Sequence, residues 1–459
     1  QQDAAAFIKE YAARGETPDP FGRIYAHSIK AAHDAGHLAP WIDAKRFMGH
    51  QWIEHIRWVR DAVESVNPNA YVGSDASYYV GTFPIVASEF RYIAPYYRDR
   101  KTKVAVSRGR MRQDGDYGGC LGAYGDKPQT MVNRRSIIWN ILFAGGTGYY
   151  YWSFVSGGMR EDLTLSDKHA RYQGEVTEEI MGGIGELFTG CRRIFHPVAI
   201  LHSRESYLCD GVRKPEEAIA SQQNSIGAFQ YILEDHGVNP HTIVPEELEA
   251  GWLDRNETRL LVLPACTSLS DKSVATIRAF AERGGVVVAD VRPGGQRPNG
   301  QPRSDNPLDE VFGIAFDAGG KTFRVKGEMK GNPYADGAEL SFGPALGDPR
   351  IAPDGASAGA AVGPEDKPDK RAAALLGHDV GKGRAYLFNA SFASYSTYRT
   401  EAGEHWSAWH RTFAPVVAAA GLKPRFAVTS QGKTTSGFEI SPFVNGSGYL
   451  LGVEDLGTG

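Results

Sequence analysis

Between Lys45 and Val66 the apolar residues Met48, Trp52, Ile56, Val59, Val63 and Val66 recur at every third or fourth position, and Asn67-Pro68 ends the pattern. That spacing predicts an amphipathic helix over 45–66. The run Ala70–Asp75 then predicts a strand, 85–97 a second helix, Lys103–Ser107 a β-rich run, 109–125 a long glycine-rich loop, and 134–144 a helix. Strands that alternate with helices, with polar loops after the strands, predict a parallel barrel or a doubly wound sheet.

A second unit begins after His196-Pro197. Val198–His202 reads as a strand, and Ile226–His236 as a helix closed by Gly237. Arg259–Pro264 is a continuous apolar run, as in a parallel strand buried on both faces. Ser270 caps a helix ending at Gly284, and Val286–Asp290 is another buried strand. Together they predict a flavodoxin-like layered unit. Residues 299–368, rich in Gly, Pro and Asp with weak strand signals at 323–325 and 339–342, read as an insertion. Strand character returns at Gly381–Phe388 and helix at Trp406–Ala420, and after Pro424 short alternating strands predict a small β unit.

The segment Tyr149-Tyr150-Tyr151-Trp152-Ser153-Phe154 lies between two glycine clusters. In a strand, Tyr149, Tyr151 and Ser153 would face one side and Tyr150, Trp152 and Phe154 the other, so that one face packs while the other meets a ligand. A Trp at the carboxyl end of a strand makes a platform for a sugar ring, and an aromatic core strand is the competing reading.

Composition narrows the function. The chain has 459 residues, 42% hydrophobic and 23% charged, with a net charge of -4, which fits a globular protein of several domains. Its charges are interspersed, so neither a nucleic-acid stripe nor an acidic tail is expected. No apolar run approaches the roughly 20 residues of a membrane span. Cys120, Cys191, Cys209 and Cys266 are dispersed and the histidines lack ligand spacing, so no disulfide framework, metal or cofactor is expected. Gly381-Lys382-Gly383 lacks phosphate-loop spacing and reads as a hairpin turn; G-x-G-x-x-G and G-x-S-x-G are absent.

Carboxylates remain as the chemical candidates, and glycosyl transfer needs two of them beside an aromatic floor. Asp75, Glu89, Asp114, Asp116, Asp126 and Asp162 lie beyond strands or in glycine-rich loops.

The stretches Ala39–Met48, Asn67–Gly73, Trp139–Trp152 and Asp162–Ser166 together resemble the later half of the catalytic barrel of β-galactosidase-like enzymes of glycoside hydrolase family 42. Val198–Asp290, with Leu261-Val262-Leu263-Pro264 and Gly284–Asp290, resembles that family's trimerisation domain, an amidotransferase-like fold without its cysteine chemistry. The resemblance implies an α/β chain. Residues 1–195 would be the later part of a (β/α)8 barrel, 196–424 the trimerisation domain with its insertion, and 425–459 the start of a β-sandwich-like domain. It also implies retaining hydrolysis of a β-linked sugar, a homotrimer, and a bacterial cytoplasmic or periplasmic setting. Trp41, Tyr150 and Trp152 would line the sugar subsite, while Asp75, Arg108 and Asp162 would contact hydroxyls.

The family pattern uses two glutamates. No Glu occurs between Asp99 and Arg160, so Glu89 and Asp116 are the nucleophile candidates. The acid/base is expected upstream of Gln1, so that either the chain is a fragment or another segment supplies the missing barrel strands. A non-catalytic carbohydrate-binding relative is the alternative.

Overall fold

The computed structural model describes residues 29, 32, 38–74, 89–94, 116–122, 138–152 and 160–455. The last stretch excludes 214–217, 334–336, 368–369, 393, 402, 427–428, 431–432, 435–437 and 447. The first helix runs Ala39–Val66, six residues earlier than the apolar spacing indicates, because Pro40 fits a first helical turn. Asn67 ends it, with its N–H on Val63 O at 3.0 Å. Ile42, Ile53 and Ile56 are buried along one side.

Strands β1 (Gly73–Ser74), β2 (Tyr92–Ile93), β3 (Asp116–Gly122) and β4 (Gly148–Trp152) form one sheet in sequence order, all parallel. Two expectations need correction. Residues 85–97 are not one helix, since they contain β2, and 109–125 is not all loop, since it contains β3. The glycines of β3 serve close packing. A Cβ on Gly118 would collide with Gly148 O and with the Tyr92 hydroxyl, so glycine lets the Tyr92 ring lie across the sheet. The strand expected over Lys103–Ser107 lies outside the described residues.

After helix Asp167–Glu179 a π-turn, Ile180–Ile184, is broken by Gly183 at φ 123°, and helix Gly185–Thr189 follows. Strand β5 (Arg192–Arg193) then pairs with the C-terminal hairpin Phe438–Asn445/Gly448–Asp455. The terminal β residues thus close back on the end of the first unit.

The remainder centres on a nine-stranded sheet. Its parallel half contains β6 (Val198–Leu201), β7 (His241–Ile243), β8 (Leu260–Leu263) and β9 (Val286–Ala289). β6, β8 and β9 are buried along their whole length, as their apolar runs predict. Between Pro307 and Gly377 the chain adds a short pair, β10 (Ile314–Phe316) with β13 (Ile351–Pro353). It also extends the main sheet through β11 (Val325–Gly331), β12 (Leu340–Gly347), β14 (Ser357–Val362) and β15 (Ala372–Val380). β16 (Gly383–Leu387) joins the halves, antiparallel to β15 and parallel to β9, giving the order β12-β11-β14-β15-β16-β9-β8-β6-β7. The segment read as an insertion therefore contributes strands to the central sheet. Its strand signal was weak because Gly327, Gly331, Gly343 and Gly347 dilute the alternation.

Each face of the sheet carries a core, one around Phe229, Phe388, Trp409 and Phe413, the other around Leu248, Ile277 and Phe312. Ser270 caps helix Asp271–Glu282 by accepting the Ser273 N–H at 2.9 Å, and Gly381-Lys382 turns the β15/β16 hairpin with Gly381 at φ 58°.

His241 stacks on Phe195 (4.3 Å between ring centroids) and meets Trp252 edge-on. Burial pushes it down to about 4. Its folded-state value lies below the unfolded one, so its contribution to stability is complete above about pH 6.5 and is lost as pH falls toward about 4. His241→Phe, which keeps the stacking, is expected to match the parent at pH 7 and to exceed it by about 2 kcal/mol at pH 4.5 in urea unfolding. Equal acid sensitivity of the two would refute this assignment.

Candidate active site at the carboxyl end of the first sheet

Functional groups of a parallel sheet collect beyond the carboxyl ends of its strands. Here the edge is set by register: Gly118 pairs with Gly148 and Gly122 with Trp152, so Gly122 and Trp152 end β3 and β4 at the same level. Tyr150 lies opposite Cys120, two residues back along β4. The approach to this strand is a helix end. Over residues 138–143 the chain is helical, Gly145 takes φ 88°, and the Gly145 and Gly146 N–H groups bond Leu142 O and Ile141 O, both at 2.8 Å.

The nucleophile candidates stand elsewhere. Asp116 pairs with Tyr92 at the amino-terminal end of β3, six residues and therefore about 20 Å from Gly122. Glu89 precedes β2 and is held by the first helix. Arg57 donates to its Oε1 through Nε (3.0 Å) and Nη2 (2.7 Å), and Arg60 donates through Nη1 to Oε2 (2.5 Å) and to its carbonyl (3.1 Å). Burial works to raise the Glu89 carboxyl, but the bonds from Arg57 and Arg60 outweigh it and hold the group below the ordinary range. A carboxylate with both oxygens engaged by guanidiniums fixes a helix to a sheet. Glu89→Gln is expected to cost about 1–3 kcal/mol of stability. A catalytic loss in fully folded Glu89→Gln would oppose that role.

The other predicted residues divide similarly. Trp41 sits in the first turn of helix Ala39–Val66, packed on the Ile42, Cys209 and Val212 cluster with Lys45 Nζ 5.3 Å from its ring centre. It joins that helix to helix Arg204–Asp210. Asp162 is exposed and shapes a turn, its Oδ1 accepting from Thr164 N–H (3.0 Å) and Thr164 Oγ1 (2.6 Å); these bonds hold its carboxyl below the usual range. Asp75 and Arg108 lie outside the described residues. Tyr92 and Tyr71, 6.0 Å apart, were missed by the sequence reading. The signal was available, because Gly73 and Gly118 are the glycines that make room for Tyr92.

The nine-stranded sheet offers a second place for a ligand, where strand order reverses between β6 and β8. It is filled. The hydroxyls of buried Ser203 and Ser206 both donate to Ser268 O at 3.0 Å, and Ile42 packs on Cys209 beside them. Cys266 is wholly buried and desolvation pushes its thiol far up, while Cys209 is pushed up to about 12, so neither is a nucleophile near neutral pH. Asp290, accepting from the Ala265 N–H (2.7 Å) and the Ser225 hydroxyl, is raised by burial to about 6. Among the described residues no group of three His, Cys, Asp or Glu side chains could hold a metal, and no helix is long and apolar enough to cross a membrane.

With this geometry in place, comparison with known proteins is specific. Residues 196–398 match the family model of the β-galactosidase trimerisation domain. No curated protein matches the chain. Among solved structures, β-galactosidase of Bacillus circulans sp. alkalophilus superposes with a TM-score of 0.68 at 15% identity, over 91% of this chain and 62% of that one. The β-galactosidase of Rahnella sp. R3 gives 0.67 at 14% identity, over 96% and 65%. Gan42B, a family 42 β-galactosidase of G. stearothermophilus, gives 0.66 at 14%, over 96% and 64%. The chain thus shares the mixed α/β fold of family 42 β-galactosidases and spans less than two thirds of the length of these structures.

Proposed function

We propose, from a trimerisation-domain match over residues 196–398 and a fold shared with family 42 β-galactosidases, that this chain belongs to a β-galactosidase-like glycoside hydrolase. In this reading β1–β4 are later strands of a (β/α)8 barrel, the nine-stranded unit assembles the protein as a homotrimer, and 425–459 opens a further β domain. A β-linked sugar binds over the carboxyl end of β4, with Trp152 and Tyr150 as its floor, and Asp75 and Arg108 belong to the same rim. The observation that carries the reading is the parallel pairing that ends the aromatic strand at Trp152, on the edge where such sheets do chemistry. Two carboxylates would act through an oxocarbenium-like transition state, one attacking the anomeric carbon while the other protonates the departing oxygen.

One observation favours a second reading. β3 and β4 carry no carboxylate at their carboxyl ends, and the acidic residues placed by the structure, Glu89 and Asp116, lie toward the opposite edge. A carbohydrate-binding relative without the glutamate pair fits that arrangement. Hydrolysis of a chromogenic β-galactoside by the full-length product decides between them. Release of the chromophore supports the hydrolase, whereas saturable galactose binding without turnover supports the binding protein.

A further inference from the structure

Arg193 links three parts of the molecule at one point. From β5 its Nη1 donates to Ala144 O at 3.0 Å and its Nη2 to Asn239 Oδ1 at 3.1 Å. Ala144 is the last residue before the Gly145-Gly146 turn and lies four residues ahead of β4. Its carbonyl is at the negative end of a helix, where a guanidinium is well placed. Asn239 is 2% exposed and is fixed in turn, its N–H donating to His196 Nδ1 at 3.0 Å and its carbonyl accepting from His196 N–H at 2.8 Å. The C-terminal hairpin closes the same junction: Phe443 pairs with Arg193 across the strands and packs with Leu142 and Phe188. Gly145 faces the Phe443 ring, since a Cβ there would lie 3.8 Å from it.

We propose that Arg193, anchored on Asn239 of the trimerisation domain, is a positioning residue that sets where β4 starts, and through β4 the level of Trp152. A side chain reaching only one of the two acceptors would leave the Gly145–Thr147 turn free to shift along the helix axis. Any shift there is carried along the strand, because β4 is paired to β3 residue by residue. The trimerisation domain thereby governs the geometry of the sugar platform, a consequence that rests on the hydrolase reading above.

The test has two readouts on the full chain. Amide exchange followed by mass spectrometry is measured on peptides covering 145–152 and, as an internal reference, on β9 within 286–289. In Arg193→Met, exchange over 145–152 is expected to rise about ten-fold while β9 is unchanged, with Arg193→Lys intermediate. Asn239→Ala, which keeps Arg193 and removes one anchor, is expected to move the same peptides in the same direction and guards against a misfolded Arg193 variant. Turnover on β-galactoside is expected to show a KM raised roughly three- to ten-fold with kcat little changed. Unchanged exchange over 145–152 in both variants, or equal acceleration in β9, overturns the proposal. A full-length product without turnover overturns the hydrolase reading instead, and the exchange result still decides the coupling.

Discussion

Replacing Asp235 with alanine lowers the unfolding free energy by about 3–5 kcal/mol, the largest stability change expected from a single substitution in this chain. Asp235 ends helix Gln222–Asp235 and its carboxylate accepts three hydrogen bonds. Its Oδ1 accepts from Arg399 Nε at 2.7 Å, and its Oδ2 accepts from Tyr395 Oη at 2.7 Å and Trp406 Nε1 at 3.2 Å. Arg399 is 2% exposed, lies over the Tyr231 ring at 4.6 Å, and also reaches Glu439 of the C-terminal hairpin at 3.4 Å. Removing the carboxylate leaves the buried Arg399 with only its longer contact to Glu439 and strands the Tyr395 and Trp406 donors, and desolvation of the weakly compensated charge dominates the loss. Asp235→Asn keeps the size but not the charge and is expected to lose less. Urea unfolding followed by far-ultraviolet dichroism gives both values. A loss under 1 kcal/mol in Asp235→Ala would mean that the network is not what seats the hairpin.

Trp152→Ala is expected to cut kcat/KM for a β-galactoside roughly 30- to 150-fold, which corresponds to about 2–3 kcal/mol of lost contact with the sugar face. Trp152 pairs with Gly122 at the end of the sheet. The unfolding midpoint is therefore expected to stay close to that of the parent, and Trp152→Phe to recover most of the activity. Kinetics at several substrate concentrations separate the two roles. A variant that folds poorly, with activity falling only in proportion to folded protein, would return Trp152 to the aromatic core reading.

Legibility in the sequence followed the physics of burial. The strands Val198–Leu201, Leu260–Leu263 and Val286–Ala289 announce themselves because they are buried on both faces and carry no competing pattern. The helix beginning after Ser270 is legible for a local reason, its side-chain cap. β3 was hidden, because its Gly118 meets a demand made by Tyr92 and Gly148, residues that come close only after folding. The site was legible as far as it is local. The aromatic strand and its glycine approach were visible, whereas the placement of Glu89 was not, since its partners Arg57 and Arg60 are about thirty positions away. The packing of Trp41 on Cys209 and Val212 was hidden for the same reason, since those residues come from a distant part of the chain.

Whether a β-linked sugar reacts at the carboxyl end of β1–β4 can be read with a 2-deoxy-2-fluoro-β-galactoside that carries a good leaving group. Such a reagent accumulates the covalent glycosyl-enzyme of a retaining enzyme, and peptide mapping by mass spectrometry then locates the modified residue. The account predicts one labelled carboxylate in a segment that follows a strand of this sheet, within 75–88, 94–115, 123–137 or 153–165. Labelling of Glu89 or Asp116, or of any residue beyond 196, would place the reaction elsewhere and overturn that assignment.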